Sequence, residues 1–372
     1  MFFFERRPMP ERRTGPTLAR TGNEAAERVQ RVLEAAPPHR ILVICREHIG
    51  DIVNTTGAIA CLRASFPDAK LVVDVGERAV PVLENFPGID EIWPRPTHQG
   101  ALGKWRYIRR LRRCGFDLAV IFDDSNPHVL HAKLGGIPFR VGIWRGVKYE
   151  SLYCAYVPLR RERHELRDHC RLLLELMGCD TSDCSPRLYV SEADRAAASA
   201  ILREMGLPNG HPLVGIHPGA SEPRRRWPIE HFATLVDSLE GHADVLLLGG
   251  DADRQAIEDL RRRCRRNPHM LPRPLSILQF AALCASLDLM ICGDTGPMHL
   301  AATMGTRVVV LYGPAYPEHT GPYGRGHVIL QEPCSCPERT PKVCPGECLR
   351  NLRPERVRDA ACEALDREVG VV

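Results

Sequence analysis

No apolar run among the 372 residues approaches the ~18–20 needed to span a bilayer; the runs at 41–45, 245–248 and 308–312 are each about strand length. A soluble protein is expected. The apolar start, Met1 to Phe4, is too short for a signal-peptide core and gives way at once to Glu5-Arg6-Arg7, so secretion is not expected. Charge of one sign is missing too. Fifty Lys and Arg against 46 Asp and Glu leave +4, too near balance for a dedicated nucleic-acid binder, so electrostatic recognition has to be local. Neither G-x-x-x-x-G-K-[ST] nor G-x-G-x-x-G occurs, which removes the sequence evidence for a P-loop or a dinucleotide fingerprint. The short internal repeats of a solenoid are absent as well.

What is present is ordinary globular composition, 44% hydrophobic and 26% charged, at a length that suggests two domains. Cysteine is plentiful. Fifteen is an odd count, and Cys45, Cys61, Cys284 and Cys292 sit in apolar segments like small core residues, which points to a reducing compartment, by default the cytoplasm.

Residues 1–39 are rich in Arg, Pro, Thr and Glu and carry a short helical stretch, 23–35, ended by Pro37-Pro38; they are expected to be an appendage. From Arg40 short β-rich runs alternate with helical patterns: strands at 41–45, 70–75, 91–93, 118–122 and 140–143, helices at 52–65, 79–85, 102–113 and 127–134. This alternation predicts βαβ units on a parallel sheet. A polar helix at 164–177, expected on the surface, leads into the turn-rich stretch 178–183. A second α/β series follows, with strands at 213–217, 244–248, 287–292 and 307–312. The expected division is 1–39 extension, 40–183 first Rossmann-like domain, 184–352 second Rossmann-like domain, and 353–372 a C-terminal helix returning to the first domain.

Chemistry in open α/β sheets gathers at the carboxyl ends of strands. The first strand ends at Gly50-Asp51, where Asp51 is either a helix cap or a base for an attacking hydroxyl. In Asp294-Thr295-Gly296-Pro297-Met298-His299 a buried strand runs into a helix start, with Thr295 or Gly296 at the cap and Pro297 in the first turn; such a start binds phosphate. At His217-Pro218-Gly219-Ala220-Ser221 a small-residue turn precedes Arg224, Arg225 and Arg226, which suit phosphate oxygens or a solvated face. Gly249-Gly250-Asp251-Ala252-Asp253 has D-x-D spacing; a ribose contact by Asp253 is preferred over a divalent metal.

Two further patterns stay open. Cys334, Cys336, Cys344 and Cys348 form C-x-C-x7-C-x3-C in a Pro-rich loop and could hold Zn or Fe, pair as disulfides, or remain thiols. Lys104, Arg106, Arg109, Arg110, Arg112 and Arg113, interleaved with Trp105 and Tyr107, read as a solvated face, a nucleic-acid surface, or a hold on an anionic headgroup or phosphorylated sugar. His164-Glu165 lacks the second His of a zinc-protease motif, since Asp168 stands there and His169 comes one residue late.

Together these motifs resemble family 9 of the glycosyltransferases, the ADP-heptose:lipopolysaccharide heptosyltransferases. The resemblance covers about nine-tenths of the chain and includes Arg46, Gly50-Asp51, the turn at His217, Arg225 before Trp227-Pro228, Gly249-Gly250, Asp294 to His299, Gly313-Pro314, Thr320 to Gly324 and the cysteine loop. It implies an α/β GT-B fold, with two Rossmann-like domains facing across a cleft. It also implies an inverting transfer of heptose from ADP-heptose to a lipopolysaccharide core hydroxyl, with Asp51 as general base and no required cofactor. Donor contacts would come from His217, Ser221, Arg225, Arg226, Asp253, Asp294, Thr295, Gly296 and His299. Arg46, Thr55, Arg106 and Arg109 would face an anionic glycolipid acceptor, at the cytoplasmic face of the inner membrane with peripheral membrane contact and no nucleic acid. The chain departs from the family pattern in having Arg225 where Lys is frequent, Gly57 where Pro is common, and an acidic Asp123-Asp124-Ser125-Asn126. Other readings are a GT-B transferase with a different donor or with a protein or small natural product as acceptor, a nucleotide-sugar epimerase, and a non-catalytic nucleotide-sugar sensor or metal scaffold.

Overall fold

The computed structural model describes residues 20–96, 100–124, 127–146, 148–159, 166–334, 344 and 347–366. The first half contains strands β1 (Arg40–Ile44), β2 (Lys70–Gly76), β3 (Glu91–Arg95), β4 (Leu118–Ile121), β5 (Phe139–Trp144) and β6 (Ala155–Pro158). Its helices are α1 (Asn23–Ala35), α2 (Ile49–Ser65), α3 (Ala101–Cys114), α4 (Pro127–Leu134) and α5 (Arg167–Leu176), with α6 (Glu192–Glu204) leading onward. The second half contains β7 (Leu213–His217), β8 (Asp244–Leu247), β9 (His269–Met270), β10 (Leu289–Gly293), β11 (Val308–Tyr312) and β12 (Val328–Gln331). Its helices are α7 (Ile229–Ser238), α8 (Arg254–Arg263), α9 (Ile277–Cys284), α10 (Gly296–Thr303), α11 (Pro317–Thr320), α12 (Glu347–Asn351) and α13 (Pro354–Asp366).

The central strands are near-continuous apolar runs because both faces of a parallel sheet are covered by helices. In β1, Ile41 and Val43 enter the core beneath α2 and α5, while Leu42 and Ile44 enter the core that receives Leu111 of α3. The sheet orders are β3-β2-β1-β4-β5-β6 and β12-β11-β10-β7-β8-β9, with every pairing parallel. Strand order therefore reverses between β1 and β4 and again between β7 and β10, and at each reversal the diverging loops open a crevice. Arg46 and Asp51 follow β1, Asp123 and Asp124 follow β4, His217 ends β7, and Asp294 follows β10. Topology alone sends these residues to the two crevices. The protein has the GT-B fold.

Several elements differ from expectation. Helix α1 is no appendage: Ala25, Val29 and Leu33, one apolar stripe at helical spacing, are buried against α5 and β6, and Arg28 Nη2 donates to Cys154 O at 2.6 Å. Helix α5 is not on the surface either, since His169, Cys170, Leu173 and Leu174 are buried between α1 and α2; His164 and Glu165 lie outside the described residues. The last helix, α13, covers its own sheet instead of returning to the first domain. Its stripe Val357, Ala361 and Ala364 fills the space beside α7, β10 and β11, and Ala364 O accepts from Arg307 Nη1. Among the described residues no helix is long and apolar enough to cross a membrane.

The connection into the second half is strapped to α2. Arg187 N donates to Thr56 Oγ1 at 2.9 Å, and the Cys184 and Ser185 carbonyls pass directly over Gly57. A Cβ at Gly57 would stand 2.2 Å from Cys184 O, a backbone atom that cannot turn aside, which explains why glycine occupies this mid-helix position. Gly57→Ala is expected to destabilise the protein by about 1–3 kcal/mol in urea unfolding, as overpacking against backbone does. An unchanged midpoint would remove the strap from the account of how the halves are joined.

Candidate active site

The crevice is built where two helix starts meet. Helix α2 begins at Ile49, three residues earlier than its sequence suggests, so Asp51 lies within its first turn instead of in a preceding loop. Helix α10 begins at Gly296, and a Cβ there would touch Ile49 at 3.3 Å. Gly50 in turn faces His299, whose Cδ2 would be 2.6 Å from a Cβ at residue 50. Two glycines thus let the helices approach closely enough for the unpaired N–H groups of both first turns to serve one crevice, where their partial positive charge favours anions.

On the α2 side, Asp51 is a quarter exposed and Arg46 Nη1 stands 3.6 Å from its Oδ1. Arg46 Nη2 pairs with buried Asp124 at 3.0 Å, and Arg145 pairs with Asp124 at 2.5 Å. Asp123 is held by Arg95 at 3.4 Å and by His128 at 3.2 Å, and Arg95 also pairs with Asp74 at 2.8 Å. The acidic stretch after β4 is therefore neutralised from within: Asp123 anchors the loop, and Asp124 aims Arg46 at Asp51. Ser125 and Asn126 lie outside the described residues.

On the α10 side, Asp294 is 6% exposed and pairs with Arg225 Nη1 at 3.3 Å. Burial raises the Asp294 carboxyl to about 6; Arg225 and a Thr320 hydrogen bond pull it down, and the charge of Asp51 across the crevice pushes it up. Thr295 occupies the N-cap position of α10, but its hydroxyl donates to Gly293 O at 3.3 Å and makes no cap hydrogen bond. The first-turn N–H groups of α10 are consequently not closed off by that side chain.

His217 is buried, and its Nε2 lies 3.3 Å from Asp253 Oδ2, which also accepts from Gly250 N at 3.1 Å. Burial opposes ionisation of Asp253, but the His217 ring and the Gly250 N–H outweigh it and hold the carboxyl below its ordinary range. A Cβ at Gly219 would lie 1.9 Å from Asp253 Oδ1, so glycine is required for the loops after β7 and β8 to lock together. Arg226 is exposed and its Nε donates to Ala220 O at 2.9 Å, bracing the same turn, while Ser221 is exposed beside it.

Four expected site residues are placed otherwise. Thr55 is fully buried with its hydroxyl donating to Ile52 O at 2.8 Å, a core position no acceptor reaches, because residue 55 falls on the inner face of α2. His299 turns its ring to α2, with Nδ1 3.2 Å from Asn54 Nδ2; burial, helped by the charge of Arg167, lowers it to about 4, so a neutral ring joins the two halves. Arg106 and Arg109 lie on the opposite face of the first sheet from α2, lining a 440 Å³ surface groove with Leu102, Trp105, Arg110 and Arg113. Asp74, Arg95, Asp124 and Arg145 were not legible as site residues, since they converge only through the β3-β2-β1-β4-β5 pairing; arginine at or just past a strand's carboxyl end was the one available signal.

At the edge of the second domain the sulfurs of Cys334, Cys344 and Cys348 lie within 4.8 Å of one another. Cys336 lies outside the described residues.

The family model for glycosyltransferase family 9 (heptosyltransferase) matches residues 104–349. Lipopolysaccharide heptosyltransferase 2 of Escherichia coli K12 is 30% identical over 301 residues, covering 76% of this chain and 85% of that protein. Among solved structures, a family 9 glycosyltransferase from Veillonella parvula superposes with a TM-score of 0.78 at 26% identity, covering 88% of this chain and 97% of that one. The E. coli heptosyltransferase WaaC solved with ADP-2-deoxy-2-fluoro heptose gives a TM-score of 0.63 at 18% identity, over 87% of this chain and 99% of that one. The switch-point loops, the paired helix starts and this similarity along the chain lead to one conclusion: the protein is a glycosyltransferase and belongs to family 9, the heptosyltransferase family.

Proposed function

We propose that the protein is an inverting heptosyltransferase that moves heptose from ADP-heptose to a hydroxyl of an anionic lipopolysaccharide core acceptor. One observation carries this reading: Asp51 with Arg46 on the first turn of α2 stands opposite Arg225 with Asp294 at the start of α10, the two starts touching at Gly296 and Ile49. Asp51 accepts the proton of the acceptor hydroxyl as its oxygen attacks the anomeric carbon, and the bond to the diphosphate breaks on the opposite face. The departing charge meets Arg225, the N–H groups of Thr295 and Gly296, and the positive end of α10. Asp253, oriented by His217, receives the ribose hydroxyls, with Ser221 and Arg226 along the same turn. Asp294 holds Arg225 until the diphosphate competes for it. Arg46 meets an acceptor phosphate or carboxylate. These steps require no metal at the transfer site, and the protein works at the cytoplasmic face of the inner membrane. WaaC bound to a fluorinated ADP-heptose supports the choice of donor.

Full-length protein incubated with ADP-heptose and a heptose-accepting core fragment is expected to release ADP only when both are present. Mass spectrometry should show the acceptor heavier by one heptose, and NMR should show the anomeric configuration inverted. ADP release without acceptor, or transfer from another sugar nucleotide in preference to ADP-heptose, would sink the proposal.

A further inference from the structure

We propose that Cys334, Cys344 and Cys348 form a structural site for one thiophilic divalent metal ion, zinc or iron, that ties the segment after β12 to the donor domain. Among the described residues they are the only group of three or more His, Cys, Asp or Glu side chains whose ligand atoms converge closely enough to hold an ion. The sulfur of Cys334 lies 3.7 Å from that of Cys344, far beyond the ~2.05 Å of a disulfide bond. It matches the edge of a tetrahedron with metal–sulfur bonds of about 2.3 Å, for which adjacent sulfurs stand about 3.8 Å apart.

Burial adds a second argument. Cys344 and Cys348 are almost inaccessible, at 1% and 4% exposure, whereas Cys334 is partly exposed and offers a way in. On binding, each thiol gives its proton to solvent as its sulfur–metal bond forms, no electron changes hands, and water or another side chain takes the fourth corner.

The surroundings indicate a structural role. Cys348 lies in α12, directly before Leu349, which packs in the second core and faces Gly313. Leu352, just beyond α12, accepts from Trp227 Nε1 at 2.9 Å, and Trp227 sits two residues after Arg225. A metal at the cysteines therefore pins α12, and α12 in turn backs the arginine turn of the crevice. This site is separate from the transfer chemistry, so its test does not depend on activity.

The test begins with full-length protein purified without oxygen in the presence of a phosphine reductant, with its metal measured by plasma mass spectrometry. About one equivalent of zinc or iron per chain is expected, and the element found distinguishes the two. Chelator-stripped protein should take up cobalt with thiolate-to-metal charge-transfer absorption and the visible bands of tetrahedral Co(II). Cys344→Ser and Cys348→Ser should lower metal content roughly tenfold or more, while Cys264→Ser, at the C-terminal end of α8 and outside the cluster, should not. Should the serine variants fail to fold, wild-type protein still decides: metal-loaded protein should protect these three thiols from iodoacetamide about tenfold relative to stripped protein, with Cys264 unaffected. Below about a tenth of an equivalent with no cobalt uptake, undiminished metal in the two serine variants, or equal alkylation with and without metal would each overturn the site.

Discussion

Asp51→Asn is expected to slow heptosyl transfer by about 10²–10⁴-fold, the span associated with losing a positioned general base, while ADP binds within about threefold of wild type. The amide keeps the shape of the carboxylate at the start of α2 but cannot take the acceptor's proton. Arg46 would keep its 3.0 Å pair with Asp124, so the loop after β1 should hold its place. A fall in kcat with little change in donor KM, read from ADP release under saturating acceptor, would identify a group acting in the transition state. Turnover within tenfold of wild type would end the assignment of Asp51 as base, leaving it a cap on the first turn.

Arg225→Ala should lower kcat/KM for the donor by about 10²–10³-fold, as removal of a charge-stabilising donor does, and Arg225→Lys should recover only part of this because a point charge replaces a planar fork. The same substitution acts on stability through its partner. The Asp294 carboxyl rests at about 6 in the folded protein, above its ordinary value of 3.8. Between those values the folded state holds a proton that the unfolded chain has released, so the contribution of Asp294 to stability declines as pH rises from about 4 to about 6 and is level above that. Without Arg225 the carboxyl loses the group that pulls it down, and the declining limb should extend to higher pH. In Asp294→Asn the limb should disappear. Thermal unfolding of the three proteins between pH 4 and 8 checks this, and identical profiles would show that the buried pair is not coupled as described.

The central strands were legible because parallel strands buried on both faces are unbroken apolar runs, and Asp51, Arg225 and Asp294 were legible because each stands in a local motif at a strand end. What escaped detection was short or non-local. Strand β6 ends in Pro158, β9 has two residues, and β12 is half buried, so none carries the pattern of a central strand. Gly50 reads as a turn residue, which hid the first turn of α2 and placed Asp51 outside its helix. Thr55 reads as a polar group near the base, yet its position around the helix points it into the core. The bracing of Arg46 by Asp124 and Arg145 joins residues 78 and 99 positions away in the chain, a relation that only the sheet order creates.

The strap at Gly57 and the contact between Gly50 and His299 lie on one and the same helix, the helix that bears Asp51. If the two Rossmann-like halves swing to admit a nucleotide sugar and expel ADP, this helix is the axle of the motion. Atoms near an axle travel least, so the carboxylate would keep its aim while groups farther from the helix sweep the larger arc. The machine would then open and shut around its base without having to find it again on each stroke.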